Sequence, residues 1–310
     1  MDSLLPHDTG PLEALSNGLA ATVESAGGSV IEINAGRRLR SSGVHWRQGA
    51  IVTVAHALRH DEVITVTHAG GRTLQASLIG RDPGSDLAVL SFDGSGIPTA
   101  KTAEGASSAV GHLVVAIGRA DGIACASLGI ISLIAGPWRT WRGGLIDQLI
   151  RPDIRLYHGF SGGPLVNALG QTLGINTSGL SRSAALTIPV ATVNRVTDEL
   201  LKTGRVSRGF LGVGLYAVKI PRQIVEAHKL STAAGLIIVS VEPDGPADKA
   251  GLLVGDVLVA LNAAAVIETD DVQSALDPEL IGKPITASII RGGLPLEVAI
   301  IVAERPRKRC

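Results

Sequence analysis

A chain of 310 residues with 45% hydrophobic residues and a mean hydropathy of +0.31 can fill two domains and a sizeable core. Its 28 Lys and Arg balance 28 Asp and Glu, which argues against a nucleic-acid binder driven by bulk charge. No uninterrupted apolar run of about 18 residues occurs, so no transmembrane helix is expected. Cys125 and Cys310 are too few and too far apart for a disulfide framework.

In chain order, the opening MDSLLPHDTGPLEALSNGLA has no basic segment followed by an apolar block, so as written it is not a secretory signal. A short helix is expected over Leu12 to Val23. From Ser29 to Ile188 short β-runs follow one another: SVIEI, AIVTVAHAL, EVITVTH, DLAVLSF, HLVVAIG, LGIISLI, TLGINT and AALTIPV. Many of the spacers hold Gly, Asp, Ser or Pro, which reads as an antiparallel sandwich or barrel. After Pro189 the period changes. Val190, Val193, Val196, Leu200 and Leu201 repeat at helical spacing up to Gly204, a natural stop. RVSRG then reads as a linker. A second unit starts near Gly209, with about five strands and a helix or two, a small α+β or capped-barrel module. The basic runs at 37–40 and 305–309 read as solvated faces or tails.

One stretch, HGFSGGPLVNALGQTLGIN at 158–176, places Ser161 among small residues. Acyl transfer by serine needs a histidine to take its proton and a carboxylate to orient that histidine. The first unit offers one candidate for each: His56 ends the apolar run IVTVAH, and Asp86 starts SDLAVL. Each lies at a strand end, where loops gather functional groups on a rigid scaffold. The N–H groups of Gly159 and Ser161 are the expected oxyanion donors, and Gly162 and Gly163 let the chain turn away. Apolar β-like sequence follows Ser161, so this is not the strand–turn–helix elbow of an α/β-hydrolase. The order His, Asp, Ser is that of the chymotrypsin-type double barrel.

Rival readings are weaker. Asp86 also suits a plain turn cap, because DPGSD is good turn chemistry, and Asp82 nearby is a weaker rival for its role. His56 and His60 are four apart, but the Glu of H-E-x-x-H is missing and the flank reads as strand, so no metal is expected. His45, His68 and His112 read as surface or satisfied structural residues. Trp138 and Trp141 belong to a loop that either contacts substrate or is simply anchored by its aromatics.

Four stretches in this order resemble the HtrA/Deg family of serine proteases with a C-terminal PDZ domain. IVTVAHAL resembles the segment around the family's catalytic histidine and GRDPGSDLAVL the segment around its aspartate. IRPDIRLYHGFSGGPLVNALGQTLGINT is similar to the serine segment, and IPVATVNRVTDELLKTGRVSRGFLGV to the helix and linker that lead into the PDZ domain. The resemblance covers about residues 12 to 303. It implies a mainly β fold: a chymotrypsin-like double β-barrel protease domain over 1–204, a PDZ domain over 209–304, and a basic tail over 305–310. His56, Asp86 and Ser161 map to the catalytic triad. There are departures. Phe160 stands where the family usually has Asn, Tyr157 and His158 where it often has Asn-Pro, and Arg151 and Arg155 replace a polar and a small residue.

In the PDZ part the resemblance assigns carboxylate binding to Phe210, Leu211 and Gly212. Val272 and Leu276, one helical turn apart, are expected to line the pocket for the last side chain of a peptide. EPDGPADKAGLLVGDVLVALN reads as a turn, a short helix and a strand from Asp256.

The implied function is a serine endopeptidase acting on unfolded or damaged polypeptides in protein quality control. Its PDZ domain would bind peptide C-termini or gate the protease. No cofactor and no nucleic acid are expected. Cleavage after small or medium aliphatic residues is what the resemblance suggests. The alternative is a catalytically latent or idle chaperone or peptide-binding scaffold; an esterase using the same triad is weaker still. A homo-oligomer is open, because the family's aromatic trimer contacts are not evident. The compartment reads as cytoplasmic from the residues given, and as periplasmic or extracytoplasmic if the N-terminus is incomplete.

Overall fold

The computed structural model describes residues 10–36, 40–58, 63–103, 108–181, 184–230 and 232–306. His60, Cys310 and most of the two basic runs lie outside them. The chain divides into two compact units, Met1–Val206 and Ser207–Cys310.

The first unit opens with helix α1 (Pro11–Gly27), longer than the sequence suggests. Pro11 sits in its first turn, where a missing N–H costs nothing. Its last turn is tied down by Arg119, whose guanidinium donates to the carbonyls of Gly27, Gly122 and Val30, each at 2.8 Å. A barrel follows, built of β1 (Val30–Ala35), β2 (Arg40–Arg47), β3 (Ala50–Val54), β4 (Ile64–Thr67), β5 (Thr73–Asp82) and β6 (Leu87–Phe92). The strands close in the order β1-β2-β3-β6-β5-β4. Two of them, β2 and β5, are not marked in the sequence as apolar runs. β2 begins Arg-Ser-Ser-Gly, yet Ser41 and Ser42 are buried because the strand pairs on both sides, with β1 and with β3.

The second barrel contains β7 (Leu113–Ala120), β8 (Ile123–Ala135), β11 (Leu149–Asp153), β12 (Pro164–Asn167), β13 (Thr172–Thr177) and β14 (Leu186–Pro189), closed in the order β11-β14-β13-β12-β7-β8. A two-stranded ribbon, β9 (Trp138–Arg139) with β10 (Leu145–Ile146), interrupts the path. The expected double barrel is therefore present. Closure leaves no free sheet edge in either barrel, and side chains fill both interiors.

Helix α2 (Val190–Thr203) carries the predicted apolar stripe. Val193, Val196 and Leu200 are buried with Val44, Trp46, Val52, Leu87, Ile146, Ile175 and Ile188, a cluster drawn from both barrels. Gly204 ends the helix at φ 72°, with its N–H on the Leu200 carbonyl at 2.8 Å. That left-handed cap suits glycine.

The second unit is a sheet of β16 (Val213–Lys219), β17 (Ala234–Val241), β18 (Val257–Leu261), β20 (Pro284–Arg291) and β21 (Leu294–Ile301), with β19 (Ala264–Ala265) paired to β18. β15 (Gly209–Phe210) pairs separately with β22 (Ala303–Glu304). Three short helices accompany the sheet: α3 (Arg222–His228), α4 (Pro246–Lys249) and α5 (Thr269–Ala275). α3 was not expected; it buries no residue fully, so it leaves no apolar stripe to read. The strand expected from Asp256 starts one residue later. Asp256 itself is buried and accepts two bonds from Arg291, at 2.8 and 2.7 Å. Burial pushes its carboxyl pKa up, but the bonds from Arg291 and the Leu253 N–H outweigh that and hold it below the usual value.

Candidate active site

His56 lies in a single 3-10 turn, Ala55–Ala57, that continues straight from β3. Asp86 ends the turn that leads into β6, at φ 60°. The left-handed region is open to Asp because its short side chain can bond locally. The turn is held by Asp82, which accepts from the N–H groups of Gly84 and Ser85 at 3.0 Å and from the Ser85 hydroxyl at 2.7 Å. Asp82 therefore serves the turn, and Asp86 faces His56.

Asp86 is 2% exposed. A buried carboxylate needs partners, and it has three. The His56 N–H donates to Oδ1 at 3.0 Å, the His56 ring Nδ1 meets Oδ2 at 2.7 Å, and the Thr177 hydroxyl donates to Oδ2 at 2.5 Å. With Nδ1–H given to the carboxylate, Nε2 keeps its lone pair for a proton from elsewhere. Thr177 is a residue the sequence reading missed. It ends a strand of β formers, and nothing in LGINTS marks its hydroxyl as different from any other.

Ser161 sits in a tightly pinned loop. The Phe160 N–H reaches the Tyr157 carbonyl at 3.1 Å, Gly162 N–H the Asn176 carbonyl at 2.8 Å, and Gly163 N–H the Phe160 carbonyl at 3.0 Å. Strand β2 clasps the loop from the other barrel. Ser42 N–H donates to the Ser161 carbonyl at 2.9 Å and Ser42 Oγ to the Gly159 carbonyl at 2.7 Å. Two of the glycines answer to space. A Cβ on Gly162 would stand 1.9 Å from the Ser42 carbonyl oxygen, and one on Gly163 would stand 2.0 Å from that of Ile117. Gly159 has φ 91°, a conformation open to glycine. Among the described residues neither the Gly159 nor the Ser161 N–H donates to a protein acceptor.

Phe160 anchors this loop by its ring. It is buried with Val114, Ala116, Ile131, Ile150, Leu165 and Leu173, with Cys125 packed alongside. Burial pushes the Cys125 thiol pKa up, which keeps it protonated and makes it a poor rival nucleophile.

The Ser161 hydroxyl lies 3.1 Å from that of Ser178, and among the described residues no hydrogen bond joins it to His56. Catalytic hydrogen bonds are often long without substrate and tighten when it binds. Gly179 closes the floor: a Cβ there would fall 2.5 Å from Asp86 Oδ2 and 2.7 Å from His56 Nδ1. An open cleft of about 860 Å³ begins at Ser178 and Gly179 and is walled by Ile154, Leu156, Leu180 and Trp141. No group of three or more His, Cys, Asp or Glu is placed to hold a metal ion among the described residues.

In the second unit Leu211 and Val272 are buried in one apolar cluster, with Leu276 packed against it. Leu276 is the C-cap of α5, just past the helix end. The run from Gly209 lies against this end, since a Cβ on Gly209 would meet the Leu276 carbonyl at 2.8 Å. Phe210 pairs with Ala303, and Gly212 adopts φ 79°.

Residues 41–175 match the trypsin-like peptidase domain and residues 209–302 the PDZ domain. A probable periplasmic serine endoprotease DegP-like of Pseudomonas putida is 32% identical over 264 residues, covering 83% of this chain and 54% of that protein. Its counterpart in Halomonas elongata is 34% identical over 281 residues, covering 87% and 57%. The chain thus spans about half the length of the curated relatives it matches. Among solved structures, the serine endoprotease from Yersinia pestis is 29% identical with a TM-score of 0.75, covering 93% of this chain and 98% of that one. The HtrA-type protease AlgW with a decapeptide is 27% identical with a TM-score of 0.74, covering 93% and 99%. Two closed barrels, a following PDZ sheet, and matches that span both units place this chain in the HtrA/DegP-like family of trypsin-like serine proteases with a PDZ domain.

Proposed function

We propose that this chain is a serine endopeptidase that cleaves unfolded or damaged polypeptides. The observation that carries the reading is the buried Asp86 carboxylate fixed on His56 Nδ1 at 2.7 Å, beside a Ser161 loop in which two N–H donors meet no acceptor among the described residues. In this reading Ser161 attacks the peptide carbonyl. His56 Nε2 takes its proton and returns it to the leaving amine. Asp86 orients the ring and stabilises its charged form. The Gly159 and Ser161 N–H groups hold the oxyanion. The reading extends to the PDZ unit, where Phe210, Leu211 and Gly212 would meet a peptide carboxylate and Val272 and Leu276 its last side chain. The decapeptide named with the similar AlgW structure supports peptide binding in this architecture. The periplasmic relatives support a place outside the cytoplasm.

Cleavage of casein by wild type and by Ser161→Ala, side by side, tests this reading. Cleavage by wild type alone supports it. Equal cleavage by both refutes it.

A second reading has one observation in its favour. Ser161 bonds to Ser178 rather than to His56, which suits a resting enzyme or an idle peptide-binding scaffold. A scaffold would suppress aggregation of an unfolded protein equally well with and without Ser161 and cleave nothing.

A further inference from the structure

The cleft beside Ser161 holds a cation that no carboxylate of its described lining neutralises. Trp141, Arg155, Ser178 and Ser181 line it together with apolar side chains and Gly179. Among these described residues Arg155 alone carries a charge, and no carboxylate faces it. Among the described residues its guanidinium carbon lies over the Tyr157 ring, 5.3 Å from the ring centroid. Stacking on an aromatic face leaves the guanidinium edge, with its fork of N–H donors, open to a planar acceptor. The side chain is exposed, so desolvation costs it little in the free protein.

The rest of the lining suits a short aliphatic stem. Ile154, Leu156, Leu180, Ala184 and Ala185 present apolar surface, and Gly179 keeps the floor next to His56 and Asp86 clear. In a chymotrypsin-type site the pocket beside the nucleophile selects the residue before the scissile bond, and a charge in that pocket selects the opposite charge on the substrate. A pocket of purely aliphatic preference has no use for an unpaired guanidinium in its wall.

We propose that Arg155 is a specificity-determining residue and that the cleft takes a carboxylate-bearing residue immediately before the scissile bond. The inference rests on the peptidase reading above and names its substrate class. That carboxylate is an Asp or Glu side chain, because the α-carboxyl of the residue before the bond is the carbonyl that is cut.

The test is a matched peptide set in which the residue before the cleaved bond is Glu, Gln, Val or Lys, each made with a free and an amidated C-terminus. It is assayed with the full chain as wild type, Arg155→Lys, Arg155→Ala and Arg155→Glu. Charge-assisted hydrogen bonds are the stronger ones, so wild type should favour Glu over Gln by roughly tenfold in kcat/KM. Arg155→Lys should keep part of that preference, Arg155→Ala should lose it, and Arg155→Glu should favour Lys. A purely structural role for Arg155 would change all peptides alike and leave the ratios where they were. Glu preference that is indifferent to amidation assigns the carboxylate to the side chain. Preference that vanishes on amidation places the recognised carboxylate after the bond and overturns this inference. Cleavage by wild type with no preference for Glu over Gln overturns this inference and leaves the peptidase reading standing. No cleavage of any peptide or of casein by wild type overturns both.

Discussion

The hydroxyl of Ser42 donates to the carbonyl of Gly159 at 2.7 Å and accepts the Arg119 N–H at 2.9 Å. One buried side chain on the first barrel thus fixes the peptide beside the proposed oxyanion donors, and a strand of the second barrel fixes that side chain. Ser42→Ala leaves two buried backbone groups without partners, at a cost of about 1–3 kcal/mol each. Expected is a kcat lower by roughly tenfold or more with KM little changed, because the loop is loosened where charge develops. Steady-state kinetics on one peptide substrate checks this, and a change confined to KM counts against it.

Phe160 is 2% exposed. Its ring is buried among side chains of β7, β8, β11, β12 and β13 and holds the loop there. Phe160→Ala should cost about 3–5 kcal/mol of stability in the first unit and depress activity with it. Denaturant unfolding measures the first and casein cleavage the second. Full stability in this variant would mean that the ring is not the loop's anchor.

Asp86 and Thr177 should separate by size of effect. Asp86→Asn keeps the shape but invites the wrong imidazole tautomer, and in serine peptidases of this type the loss in kcat is on the order of 10⁴. Thr177→Val removes one neutral donor from a carboxylate that keeps two others, so a loss of about tenfold is expected. A Thr177→Val loss as large as that of Asp86→Asn would show that the hydroxyl does more than orient the carboxylate.

His45 gives the first unit a pH dependence. It is fully buried, with Nδ1 bonded to the Ile97 carbonyl at 3.1 Å and Nε2 accepting the Gly49 N–H at 3.2 Å. Burial pushes its pKa below the ordinary histidine value, although the carbonyl bonds favour the charged form. The unfolded chain protonates near 6.5 while the folded ring stays neutral, so below that pH the unfolded state binds more protons. Stability from this group is therefore complete above about pH 6.5 and falls as the pH drops toward the folded pKa. Thermal midpoints between pH 5 and 7.5 should decline on the acid side, and His45→Gln should flatten the decline even if it lowers the whole curve.

Much of this molecule is written locally. The spacing of Val193, Val196 and Leu200 and the following Gly204 define a helix and its stop within a few residues, because period and cap are local properties. The eight apolar runs of the first unit announce strands, and His56, Asp86 and Ser161 stand out because their flanking segments are distinctive. Other features exist only once the chain has closed. β2 looks polar and becomes buried because two neighbours pair with it. Gly162 and Gly163 look like hinge residues, but contact with the Ser42 and Ile117 carbonyls is what forbids a side chain there. The order of strands in a barrel, the choice of Asp86 over Asp82, the support from Thr177 and Ser42, and the unpaired Arg155 in the cleft wall all depend on which distant segments meet. Sequence alone determined most of the elements, though not β2, β5 or α3, and it supplied the chemical candidates, since those rest on local spacing. The tertiary structure decided which candidates face one another, since hydrogen bonds and excluded volume act between residues as far apart as Ser42 and Gly159.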